Sequence, residues 1–546
     1  MEVNHEMNLS TEAGMPAPTP LPRGPSVREP GPVDARPRVP LCPSVLAGSR
    51  QGLAGLPSAL ATAIESALTL YRDTGPLPAG SSEEVLSAAQ AALGVGELPH
   101  EGIGASSALG CLATVLVQHG LDLSHPRAVA HLQPPPLSVA VVADALASAS
   151  NASLDTYDSG PAAIAVERWL IGGLIRLAGL GQQADGVLTP GGSMSNLLGL
   201  LLARDAVARR RGIDARRHGV SALPEPMVLC SQLAHFSVHR ACAALGLGEA
   251  AVRVVPTDEG RRMRAGALAD ILDALGPERT PLAVVATAGT TDFGTVDPLP
   301  EIADICAQRG VWLHIDAAYG FGVLFSERLA GRLAGIERGD SITLDLHKLG
   351  WQPAAASALL VASQAGFSTL AREVAYLNPS DDAAAGYDGL LGRSLQTTRR
   401  PDAVKVAATL LALGRRGLGE MVDACHELAR HAERRIAAEP ELELVSPAEL
   451  TTVVFRYRCF HRRPGDRVRL EDQTNAALRR RLLETGWALI GRTAVHLSGD
   501  DAPARVCLKL TLLNPTATPA DIDELIEVTV QAGRDCERQL EERTAR

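Results

Sequence analysis

None of the nine cysteines stands in a CxxC pair, and Cys42, Cys111, Cys230, Cys306 and Cys507 lie far apart. Neither a zinc site nor a disulfide framework is indicated, and no metal is expected. No run of about 18 uninterrupted apolar residues occurs, which argues against a membrane span. The first residues lack the basic start and apolar run of a secretory leader, so the expected location is cytoplasmic. Basic charge is not in excess either: the formal net charge is -10. Short clusters such as Arg209-Arg210-Arg211 read as solvated helix faces, and nucleic-acid binding, which leaves a basic stripe or patch, is not expected. No internal repeat is found.

What remains is ordinary for a large globular chain: 546 residues, 46% hydrophobic and 21% charged. Two or three packed units are expected at this length. Residues 1–44 carry Pro16, Pro18, Pro20, Pro22 and Pro25, which prevent helix and central strand, and read as a disordered tail. Residues 45–124 read as helical, with Leu60, Ile64, Leu68 and Tyr71 at spacings of three and four. Such helices cannot complete a core alone.

Between residues 125 and 405 short apolar runs alternate with amphipathic stretches. The runs are Gly186–Thr189, Met227–Cys230, Val252–Val255, Leu282–Ala286, Val311–Ile315 and Ile342–Leu344. Several are apolar on both faces, as buried parallel strands are, so the region reads as an α/β domain with a mostly parallel sheet. Ligands bind such sheets beyond the carboxyl ends of the strands. From 406 to 546 a long helix (from Ala403 to about Ala438) leads into strand-like runs at Thr451–Tyr457 and Val506–Leu513, a smaller α+β domain. Its last helix starts at Thr518 as N-cap, with Pro519 first and Asp521 third.

Four motifs fall at the strand ends. Thr189–Asn196, containing Gly191, Gly192, Ser193 and Ser195, joins a strand to a helix; free N–H groups and a dipole end there suit a phosphate, although a tight turn would read the same. Asp316, in His314–Tyr319, ends an apolar strand, where a carboxylate needs a cationic or hydrogen-bonded partner or caps a helix. Lys348, in Ser341–Lys348, follows another; a desolvated lysine there suits Schiff-base formation, whereas an exposed lysine is the plainer reading. His235 alone would be structural, and Thr287–Thr291 is one more hydroxyl-and-glycine turn.

Together these motifs resemble, in order and spacing, the group II pyridoxal-phosphate decarboxylases (glutamate, aromatic-amino-acid and diaminobutyrate decarboxylases) from about His125 to about Glu527. The resemblance implies the type I fold, with a seven-stranded sheet. It implies pyridoxal 5'-phosphate as cofactor, held as a Schiff base on Lys348. Asp316 would meet the pyridine nitrogen, His235 would stack on one ring face and Ala318 on the other. Gly192, Ser193, the Met194 backbone N–H, Ser195 and His347 would hold the phosphate, with Thr290 nearby. Asp345 departs from the asparagine of many relatives; a carboxylate would repel phosphate, so it is left out of the cofactor set.

Residues 373–386 are small, polar and glycine-containing, as a mobile loop is. Tyr376 there is similar in position to the family tyrosine that protonates the substrate Cα, which favours an amine product over aldehyde-forming deamination. The segments Leu154–Ala163, Leu395–Arg400 and Leu508–Pro515 look closest to diaminobutyrate and siderophore-type lysine decarboxylases. Lys509 stands where glutamate-using members carry arginine, or is a surface residue on a strand. The expected substrate is 2,4-diaminobutyrate or lysine, with acidic and aromatic amino acids behind. A non-catalytic scaffold relative is disfavoured by the intact Lys348, Asp316 and His235. Family members are homodimers with shared active sites, and residues 45–124 are the expected interface.

Overall fold

The computed structural model describes residues 45–545 apart from 95, 97, 460–463 and 498–502. The proline-rich tail therefore lies outside the described residues. The strands in chain order are β1 (Ala128–Val129), β2 (Asp185–Thr189), β3 (Pro226–Ser231), β4 (Val252–Val255), β5 (Thr280–Thr287), β6 (Trp312–Ala317), β7 (Ser341–Asp345), β8 (Ser357–Val361), β9 (Leu442–Ser446), β10 (Thr452–Tyr457), β11 (Leu489–Val495) and β12 (Arg505–Thr511).

Seven strands form one sheet in the order β2-β8-β7-β6-β5-β3-β4. Only β8 runs against its neighbours β2 and β7; the pairs from β7 across to β4 are parallel. The mostly parallel α/β sheet read from the sequence is present. Its central strands are buried on both faces because helices cover both: all five residues of β7 are buried, and all but Pro281 of β5. The Gly192–Arg210 helix packs across β5, β6, β7 and β8. Strand β8 has no counterpart among the runs picked out above. It is Ser-Ala-Leu-Leu-Val, with one β-branched residue, and by composition reads equally as helix.

The second sheet has the order β1-β11-β12-β10-β9. All its pairs are antiparallel except β1 with β11, which brings Ala128 opposite Leu489. The runs at Thr451–Tyr457 and Val506–Leu513 become β10 and β12; β9 and β11 were not singled out. The Ala403–Ala438 helix has the limits read from the sequence but breaks at Gly414, whose φ is 65°. The final helix, Pro519–Ala545, begins at a capping box: the Thr518 N–H and hydroxyl donate to Asp521 Oδ2 at 2.8 and 2.7 Å, and the Asp521 N–H donates to Thr518 Oγ1 at 3.3 Å.

The two sheets meet just beyond β6. Tyr319 Oη lies 2.7 Å from Thr451 Oγ1 and 2.9 Å from Thr452 Oγ1, and accepts from the Thr451 N–H at 3.0 Å. Trp351 Nε1 donates to the Leu513 carbonyl at 2.8 Å. These buried bonds fix the turns that follow β6 and β7, and hence the residues between them.

Candidate active site

At the carboxyl ends of β2, β5, β6 and β7 lies a cavity of about 310 Å3, lined by Gly191, Gly192, Ser193, Asn196, His235, Thr287, Gly289, Thr291, Asp316, Ala318, Asp345, His347 and Lys348, among others. That is the ligand edge of an open α/β sheet. The volume is at the lower end of ordinary small-molecule pockets, about 300–1,000 Å3.

Asp316 is 5% exposed. One carboxylate oxygen accepts from Asn196 Nδ2 at 2.8 Å and the other from the Ala318 N–H at 3.1 Å. Lys348 is not the isolated lysine its sequence position suggests: its Nζ lies 2.8 Å from Asp345 Oδ2. The other Asp345 oxygen accepts from Ser357 Oγ at 2.5 Å, and His347 Nε2 lies 3.6 Å from Oδ2. Burial pushes the His347 pKa down, against the pull of Asp345. Burial does the same to His235, whose Nδ1 lies 2.8 Å from Ser237 Oγ.

The Gly192–Arg210 helix starts at the cavity wall. A Cβ on Gly192 would stand 3.0 Å from both Asp345 oxygens and 3.2 Å from the Ala318 Cβ, so only glycine lets this helix start close so tightly. The buried Thr287 Oγ1, on the cavity-lining residue, has no partner among the described residues. A buried hydroxyl left open at a cavity wall marks where a ligand would satisfy it.

Of the residues singled out in the sequence, the structure brings Lys348, Asp316, His235, Ala318, Gly192, Ser193 and His347 to the cavity. It does not bring Met194, Ser195, Thr290, Tyr376 or Lys509 to its wall. The Met194 N–H donates to the Gly191 carbonyl at 2.9 Å. Ser195 Oγ is turned inward, 2.6 Å from Thr189 Oγ1, and Thr290 is paired with Thr295 at 2.7 Å. Tyr376 is 84% exposed. Lys509 Nζ is bound to Asp292 Oδ1 at 2.8 Å and to the Thr291 carbonyl at 3.3 Å. Residues the sequence reading did not single out are Asn196, Thr287, Gly289 and Thr291. Asn196 had a signal, seven residues past the end of β2 in the glycine motif itself. Asp345 was set aside and yet lines the cavity, bonded to Lys348.

The pyridoxal-dependent decarboxylase conserved domain matches residues 112–458 of this chain. The chain belongs to that family. As a pyridoxal-dependent decarboxylase it is a carboxy-lyase that uses pyridoxal phosphate. It is 40% identical over 441 residues to an L-2,4-diaminobutyrate decarboxylase of Rhizobium meliloti, covering 81% of this chain and 84% of that protein. It is 34% identical over 502 residues to one of Acinetobacter baumannii, covering 90% and 95%. Among solved structures, the glutamate decarboxylase domain of a diaminobutyrate-pyruvate transaminase and L-2,4-diaminobutyrate decarboxylase from Vibrio parahaemolyticus superposes with a TM-score of 0.79 at 29% identity, covering 90% of this chain and 100% of that one.

The decarboxylase's cavity suits the cofactor. A lysine can bond its aldehyde carbon, a carboxylate held by two donors can meet its protonated ring nitrogen, and a glycine-opened helix start can take its phosphate. One residue fits poorly: Asp345 sets a carboxylate against the helix start.

Proposed function

We propose that the decarboxylase removes the α-carboxyl group of L-2,4-diaminobutyrate, leaving propane-1,3-diamine and carbon dioxide. The observation that carries the choice of substrate is the Lys509–Asp292 pair, 2.8 Å apart behind Thr291 of the cavity wall. An acidic substrate needs an unengaged cation for its distal carboxylate. Lys509 is only 7% exposed and is neutralised by Asp292, whose other oxygen accepts from Thr493 Oγ1 at 2.6 Å. The wall therefore offers no free positive charge at Lys509, which disfavours glutamate and aspartate and suits a substrate ending in an ammonium. The relatives named as diaminobutyrate decarboxylases support the same choice.

In this reading Lys348 holds the cofactor covalently, Asp316 pairs with its ring nitrogen, and His235 and Ala318 flank the ring. Gly192, Ser193 and His347 serve the phosphate, while Met194, Ser195 and Thr290, bonded to Gly191, Thr189 and Thr295, stand behind the wall. The cofactor supplies an electron sink for the carbanion left by decarboxylation. The protein's part is to orient the breaking bond, exclude water and return one proton to Cα. Tyr376 delivers that proton. Since it is 84% exposed, it serves a site other than the cavity of its own chain as it stands: that of a second copy.

A homodimer with shared active sites is part of the same proposal. Leu60, Ile64, Leu68 and Tyr71, at helical spacing, are 46–68% exposed. An apolar stripe of that kind is what a subunit interface covers. We place the enzyme in the cytoplasm, whose reducing conditions keep thiols such as the eight described free cysteines unpaired.

The test is carbon dioxide release from a panel of L-2,4-diaminobutyrate, lysine, glutamate and tryptophan, with the amine identified by mass. Diaminobutyrate should give the largest kcat/KM. Faster turnover of glutamate would overturn the substrate, and keto acid without carbon dioxide would overturn decarboxylation.

A further inference from the structure

Strand β6 carries Trp312, His314 and Asp316 on one face, because alternate residues of a strand point the same way. Hydrogen bonds join them into one chain. Trp312 Nε1 donates to Ser341 Oγ at 2.8 Å, and Ser341 Oγ lies 2.8 Å from His314 Nδ1. His314 Nε2 lies 3.0 Å from Asn196 Oδ1, and Asn196 Nδ2 donates to Asp316 Oδ2 at 2.8 Å.

The direction of every bond follows from the two ends. A carboxylate only accepts and an indole only donates. Asn196 must therefore turn its NH2 group to Asp316 and its carbonyl oxygen to His314, which puts a hydrogen on His314 Nε2. The ring is fully buried, and burial pushes its pKa down to about 4, so it is neutral and Nδ1 is bare. Ser341 then donates to Nδ1 and accepts from Trp312. All the hydrogens point towards Asp316, an arrangement in which each bond polarises the next.

A branch leaves the chain at Asn196. The same amide nitrogen donates to Ser237 Oγ at 2.9 Å. Ser237 Oγ lies 2.8 Å from His235 Nδ1, and the Ser237 N–H donates to that nitrogen at 3.3 Å. Nδ1 of His235 is thus an acceptor, and a neutral ring there carries its hydrogen on Nε2.

Space for the chain comes from Gly199, one helical turn beyond Asn196. A Cβ at Gly199 would stand 2.6 Å from His314 Cε1 and 2.7 Å from Nδ1, inside any van der Waals contact. The helix lies this close to β6 because residue 199 has no side chain.

We infer that His314 is a positioning residue: through the Asn196 amide it fixes both the Asp316 carboxylate and the tautomer of His235. His314 does not line the cavity and touches no reacting atom. The opposite tautomer would set His314 Nε2 and Asn196 Oδ1, two acceptors, face to face. Flipping the amide to relieve that would turn its oxygen on Asp316 instead. The inference rests on the reading that Asp316 meets the cofactor's ring nitrogen.

The test compares His314→Phe, which keeps a ring but no donor, with His314→Gln, whose amide can still donate to Asn196. Fluorescence titration of each apo protein with pyridoxal phosphate should show Kd raised about tenfold in H314F, the scale of one hydrogen bond serving a charged group. H314Q should recover most of that loss. The pH titration of the bound cofactor's absorbance should shift in H314F and return in H314Q. On the unmodified holoenzyme, 15N spectra of labelled histidine, assigned by difference from H314Q, should show both His314 and His235 as Nε2–H forms from pH 6 to 8. A wild-type Kd and absorbance titration in folded H314F would overturn the inference, as would an Nδ1–H signal for His314. Should H314F not fold, the 15N measurement on the native protein still decides. Wild-type protein that binds no cofactor would overturn the underlying reading of the site along with it.

Discussion

The Lys348 ammonium nitrogen and Asp345 Oδ2 lie 2.8 Å apart, and both Asp345 oxygens stand 3.0 Å from where a Cβ on Gly192 would be. One carboxylate therefore neutralises the lysine and adjoins the helix start that would take phosphate. A phosphate held at that helix start would set a second anion beside Asp345. Asp345→Asn should remove that conflict and tighten cofactor binding about tenfold, or about 1.4 kcal/mol. Titration of the apo protein with pyridoxal phosphate checks it; weaker binding in D345N would show that Asp345 assists loading instead.

In the proposed function the product depends on Tyr376. Assayed in air, with dioxygen as the oxidant and water releasing ammonia, Tyr376→Phe should lower amine yield and raise aldehyde and hydrogen peroxide, since Cα then lacks its proton donor. Mixing Y376F with Lys348→Ala should restore amine formation in part, because an active dimer site would combine an intact lysine from one chain with an intact tyrosine from the other. Unchanged amine yield in Y376F would assign the proton to another group.

The Glu167–Arg399 pair tests the scaffold behind the helix start. Arg399 Nη1 lies 2.8 and 3.0 Å from the two Glu167 oxygens and 3.3 Å from the Leu188 carbonyl of β2. Both side chains are at most 5% exposed, and burial pushes the Glu167 carboxyl up against the pull of Arg399. Glu167→Ala would strand a buried guanidinium and should cost about 3–5 kcal/mol of unfolding free energy in urea. A loss below about 1 kcal/mol would mean that water reaches Arg399.

His314 also sets a pH dependence of stability. Its pKa is pushed down from 6.5 to about 4 in the folded protein, so the unfolded chain binds more protons between those values. Stability from this group is complete above pH 6.5 and is lost as pH falls towards 4. The urea midpoint of H314Q should therefore fall less than that of the wild type between pH 7 and pH 5. Parallel curves would show that His314 is charged in the folded state.

The parts legible in the sequence were those written in consecutive residues. β5 holds an unbroken apolar run at Leu282–Ala286 and β6 and β7 are apolar at alternate positions (Leu313 and Ile315; Ile342 and Leu344), and Asp316 near the end of β6 and Lys348 just past β7 fall at the ligand edge by that topology alone. The final helix announced its start through Thr518 and Asp521. Less legible was whatever depends on a partner far along the chain. Lys509 looked like a substrate contact because Asp292, 217 residues away, is its partner only in the fold. Asp345 was set aside on electrostatic grounds that hold for phosphate, but the same charge is satisfied by Lys348 three residues later. Asn196 stood within a motif read for its glycines, and its bonds to Asp316 and His314 cross more than 100 residues. Strand β8 was obscured by its own alanine and leucine, which suit a helix as well.

The central claim is that Lys348 holds the cofactor, and peptide mass mapping after borohydride reduction of the loaded enzyme tests it most directly. The reduced cofactor should be found on the peptide containing Lys348, and Lys348→Ala should carry none. A reducible adduct on another lysine, or one that persists in K348A, would contradict the assignment.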